Sequence, residues 1–60
     1  MSPVDAAVRF YDIQRDYATE AMARVQAEMY LRRKAEGLDR IKAAEELANA
    51  LAARAAERTP

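Results

Sequence analysis

Between Pro3 and Gly37 no glycine or proline interrupts the chain, and almost every residue in that interval is a fair helix former. An unbroken stretch of this kind restricts the fold to long helix. Ser2-Pro3-Val4-Asp5 reads as a helix start: Ser2 caps, Pro3 suits the first position because its missing N–H has no partner there anyway, and Asp5 completes a capping box. Glu20, Arg24, Glu28, Arg32 and Glu36 then alternate in sign at steps of four. Each neighbouring pair contributes only about 0.2–0.5 kcal/mol, but the series supports helix through the middle of the chain. Gly37 fits the left-handed position that ends many helices, with Leu38 placed to pack back on the last turn.

Asp39 is a suitable cap for a second helix starting at Arg40-Ile41, and alanine dominates residues 43–56. Thr59-Pro60 stops it, since the residue before proline avoids helical backbone. The expectation is a single all-α domain over 1–60, an antiparallel helical hairpin. Its long helix spans about 3–36 and its short helix about 40–58, joined by a turn too short for any other packing.

The faces of these helices differ. Val4, Val8, Tyr11, Ala18, Met22, Val25 and Met29 follow steps of four and three along the first helix, a coiled-coil-like seam with Arg15 in one slot. Phe10, Ile13, Tyr17 and Leu31 lie off that seam. On the second helix Ile41, Ala44, Ala48, Leu51 and Ala55 form a narrow seam beside Leu47. The lengths do not match: about 50 Å for the first helix and about 27 Å for the second. Folded back from Gly37, the second covers the first only to the region of Ala18–Met22. The apolar N-terminal half, Val4, Val8, Phe10, Tyr11, Ile13 and Tyr17, is then uncovered, and an exposed patch of that size marks a partner surface.

Size argues the same way. A 60-residue chain buries only roughly 60% of its unfolded surface, and small domains offset this with disulfides, metals or association. The chain has no cysteine and no histidine, so association is the remaining device. Two hairpins completing a four-helix bundle, or one hairpin docking on a different protein, are the two forms this takes.

Other functions find less support. Ten basic and ten acidic residues cancel, and both halves of the chain are balanced, whereas nucleic-acid binders carry a basic excess on one face. Arg32-Arg33-Lys34 is the one basic run; it suits a helix C-terminus, and as the alternative reading it contacts phosphates in a small dimeric regulator. RIKAAEELANA has a helix-turn-helix composition but no third helix or base-reading polar cluster. Asp12, Asp16 and Glu20 share a face, yet carboxylate metal sites in bundles draw acids from several helices together with histidine. With Ser2 spent as a cap and no histidine or cysteine, no catalytic residue, cofactor or small-molecule substrate is expected. No apolar run approaches a membrane span, and the acidic polar face does not suit anionic lipid. MSPVDAAVRFYD lacks the basic start of a signal peptide, so the expected location is cytoplasmic.

Overall fold

The computed structural model describes residues 1–58, and these form three helices: α1 (Pro3–Arg15), α2 (Glu20–Lys34) and α3 (Asp39–Arg58). The described residues are helical throughout apart from the N-terminus and two turns. The helix start behaves as its residues dictate. Ser2 is in extended backbone and its hydroxyl accepts the Asp5 N–H at 3.2 Å.

The expected long helix over 3–36 is two helices. α1 ends at Arg15, Asp16–Ala18 turn, and Thr19 opens α2 by accepting the Met22 N–H at 3.3 Å. Packing explains the break. A straight helix would leave the apolar N-terminal half without cover; turning at 16–19 folds α1 back against α2 and α3 and buries Ala7 and Tyr11. Thr19 satisfies one of the N–H groups that the interruption orphans, and Glu20 places a negative charge in the first turn. The molecule is correspondingly short: its longest extent is 37 Å, well under the ~50 Å of a 34-residue helix. Its radius of gyration is 11.1 Å, close to the ~10 Å of a compact chain of this length.

The second turn follows the expected position, and its glycine takes the expected left-handed backbone, while the residues on either side depart from expectation. Gly37 has φ +58°, the left-handed backbone that glycine adopts without Cβ strain. It lies two residues beyond Ala35, the residue that caps α2 in extended backbone. Leu38 does not pack back; it is 86% exposed. α3 begins at Asp39 itself, so that residue is its first rather than its cap. The stop expected at Thr59-Pro60 lies outside the described residues.

The core is a row at steps of four on each helix: Ala7 and Tyr11; Ala23, Ala27 and Leu31; Ala43, Leu47 and Leu51, with Ala35 from the turn. Val4, Val8 and Tyr30 pack around it. Alanines allow close approach of the helices but bury little area. Tyr11, Leu31, Leu47 and Leu51 therefore contribute most, about 1.5–3 kcal/mol for each buried aliphatic side chain. On α3 this row departs from the expected seam by roughly 80° at ~100° per residue. Ile41 (65% exposed), Ala44 and Ala48 face outward. α3 meets two helices rather than one, so its buried face lies between the directions of α1 and α2. Asp12 on α1 accepts from the Arg54 guanidinium on α3 at 2.5 Å and ties those helices together.

Candidate functional site

The break at 16–19 resets the phase of everything after it. The expected seam is continuous from Val4 to Met29, but only its first half faces inward: Val4 and Val8 are half-buried and Tyr11 is buried. Its second half, Met22, Val25 and Met29, points outward, at 51%, 47% and 45% exposed. At ~100° per residue these three side chains leave α2 roughly opposite Ala23, Ala27 and Leu31. α2 is thus apolar on two opposed faces. One faces the core, and the other faces solvent.

The six residues expected as a partner surface separate into three situations. Tyr11 is core. Its hydroxyl donates to Glu20 Oε1 at 3.0 Å, and burial, reinforced by that carboxylate, raises its pKa above the ordinary phenol value. Val4 and Val8 line a groove between α1 and α3 with Met1, Ala50 and Arg54. Phe10 stacks on Tyr30 of α2, centroids 4.8 Å apart and planes 13° from parallel, with the Lys34 ammonium 5.5 Å from the Tyr30 ring centroid. Ile13 and Tyr17 alone stand well out from the surface, Tyr17 at 85% exposed on the turn between α1 and α2.

At the other end of α2 a groove of about 490 Å3 opens between it and α3. Leu31, Ile41 and Ala44 supply its apolar lining, and Glu28, Arg32 and Arg40 its charges. Sequence reasoning placed Ile41 and Ala44 inside, and so missed this groove. It also missed the α2 stripe as an outer surface. The available signal was Thr19-Glu20: a cap followed by an acid, at the residue where the alternating charge ladder starts.

Arg32, Arg33 and Lys34 are exposed but do not converge. Successive helical residues diverge by ~100°: Arg32 rims the groove with Glu28, Arg33 lines a small recess with Phe10 and Met29, and Lys34 turns over Tyr30. The acids of α1 and α2 do not converge either, since Asp12 pairs with Arg54 and Glu20 accepts from Tyr11. Among the described residues no three acidic, histidine or cysteine side chains are grouped to hold a metal ion, and no helix is long and apolar enough to cross a membrane. Comparison with protein-family models, curated proteins and solved structures finds no match for this chain.

Proposed function

We propose that this chain is a small non-enzymatic interaction protein that works by binding another protein or a second copy of itself. The observation that carries this reading is the outward stripe of Met22, Val25 and Met29, apolar side chains on the face of α2 turned away from the core. Methionine suits such a surface, because its flexible, polarisable side chain adapts to a partner. Ile13 on α1 and Tyr17 on the following turn are further exposed apolar side chains, and Phe10, stacked on Tyr30, shares a small recess with Met29 of the stripe. Val4, Val8 and Tyr11 support that surface from behind by holding α1 in place.

The chemistry available argues in the same direction. Ser2, the one serine, is engaged as a cap, and the chain holds neither histidine nor cysteine for a base or nucleophile. A cysteine-free chain also suits a cytoplasmic setting. The rival class, a nucleic-acid-binding regulator acting through Arg32, Arg33 and Lys34, requires convergent cations, and these three lie in separate surroundings.

A photo-crosslinking side chain at position 25, introduced in the cell that makes the protein, tests the reading. Protease-sensitive adducts are expected at position 25 and none at position 45, an exposed site on α3. Nuclease-sensitive adducts, together with submicromolar and steeply salt-dependent binding to RNA or duplex DNA that is lost on replacing Arg32, Arg33 and Lys34 by Gln, would establish the rival instead.

A further inference from the structure

We infer that α1 is a hinged arm: straightening of the turn at residues 16–19 swings it off the other two helices and joins it to α2 as one continuous helix. The inference goes beyond the interaction reading and does not depend on it. Phase is the first observation. Val4, Val8, Tyr11, Arg15, Ala18, Met22, Val25 and Met29 keep steps of four and three without a slip, the spacing of a single helix stripe. In the bent chain the two halves of that stripe part company. Val4, Val8 and Tyr11 pack inward, while Met22, Val25 and Met29 face out. Helices separated by a turn need no common register, yet these two share one. A straight helix sets both halves on one side.

The turn itself is close to helix. Asp16 has helical backbone, φ −70° and ψ −18°, and the Asp16 and Tyr17 N–H groups donate to the Ile13 and Gln14 carbonyls at 3.2 and 3.0 Å. Thr19 has a helical φ of −67°; only its ψ of 158° lies away from the helical value near −42°. The departure centres on Ala18 and Thr19, with no glycine, proline or positive φ between 16 and 19. Two adjacent residues at the junction of two helices are the usual make-up of a hinge.

Straightening also leaves a second packed unit in place. α2 and α3 keep their own buried rows, Ala23, Ala27 and Leu31 on one and Ala43, Leu47 and Leu51 on the other. On α2 that row lies roughly opposite the stripe, so α3 does not obstruct a straight helix. α1 gives up the burial of Ala7 and Tyr11, the packing of Val4 and Val8, the Phe10–Tyr30 stack, the Tyr11–Glu20 hydrogen bond and the Asp12–Arg54 ion pair. The bent form is therefore the major state of the free chain. Asp12–Arg54, which ties the arm to α3, and the Thr19 cap, which exists only when α2 starts at residue 20, are its latches.

Distance separates the two forms in the purified full chain. Pro3 and Lys42 line one recess in the bent form, whereas a straight helix at 1.5 Å per residue sets them on the order of 40 Å apart. The chain has no native cysteine, so spin labels at Pro3→Cys and Lys42→Cys report that distance by pulsed electron paramagnetic resonance. The labelled wild type is expected to show mainly the short distance. Adding Asp12→Asn and Thr19→Ala, which removes both latches and no apolar side chain, should raise the straight fraction on the order of 10-fold and give a narrow second peak near the long distance. Glu20→Pro in that background should abolish the peak. Proline suits the first position of α2 after an extended Thr19 but blocks a helix running through it. Glu20→Ala, which also loses the Tyr11 hydrogen bond, should retain the peak. Absence of a long distance in the unlatched variant would overturn the inference. A broad long distance that survives Glu20→Pro, with helicity lost by circular dichroism, would overturn it too, since the arm then frays instead of straightening. The stripe at Met22, Val25 and Met29 faces out in both forms, so adducts at position 25 decide the interaction reading separately.

Discussion

Tyr11 shows how one side chain can be core and polar link together. Its ring fills the space between α1 and its neighbours, and its hydroxyl reaches the first residue of α2, so it stitches across the turn at 16–19. Tyr11→Phe keeps the ring and removes only the hydrogen bond to an exposed carboxylate that water can solvate, so the expected loss is about 1 kcal/mol in urea unfolding. The pH dependence is more specific. Burial and Glu20 raise the folded-state phenol pKa above its ordinary value near 10. The folded state therefore favours the protonated phenol. Its contribution is fully present below the unfolded pKa of ~10 and is lost as pH rises through the higher folded value. Above pH 10 the wild type should lose stability faster than Tyr11→Phe, and the gap between their urea midpoints should narrow. A gap that holds constant from pH 8 to 11 would mean that the phenol does not sense the fold.

At the scale of elements, the parts of the fold legible in the sequence are those decided locally. The alanine run and Asp39 locate α3 to within a residue of its observed start, and Gly37 marks the turn. The break in the first helix was not legible from propensity, because Asp16, Tyr17 and Thr19 each cost a helix at most about 0.7 kcal/mol relative to alanine, well short of a glycine or proline break. What decides it is non-local: burying Ala7 and Tyr11 against α2 and α3 outweighs the hydrogen bonds lost at the turn. The same cause hid the outward stripe, since the phase of Met22, Val25 and Met29 relative to α1 depends on the turn. Two substitutions test the turns separately. Thr19→Ala removes the α2 cap and should cost about 1 kcal/mol. Gly37→Ala meets no atom within 4 Å, so its cost is backbone strain alone, about 1–2 kcal/mol, and Gly37→Asn should cost less. Chemical denaturation of the three variants at one protein concentration checks both; a neutral Gly37→Ala would mean that the turn relaxes to negative φ.

For the whole molecule, the thinness of the core and the openness of the surface are one fact seen twice. At about 0.05–0.15 kcal/mol per residue, a chain of this length has roughly 3–9 kcal/mol of stability. Four large side chains and a set of alanines supply it, with no disulfide to help. If the proposed surface binds a second copy, association adds to that stability by mass action, and the melting temperature should then rise with the chain's own concentration. Core and surface substitutions then separate cleanly. Leu47→Ala truncates a side chain that is 1% exposed and should cost about 2–5 kcal/mol, most of the stability, lowering the melting temperature at every concentration. Val25→Glu leaves every buried residue in place. Its melting temperature should match that of the wild type in dilute solution and, unlike that of a self-associating wild type, should not rise between 5 and 500 µM. Calorimetry or circular dichroism across that range distinguishes the two effects. If Val25→Glu instead melts well below the dilute wild type, then the outer face of α2 contributes to the stability of the single chain, and the stripe belongs to the fold rather than to a partner.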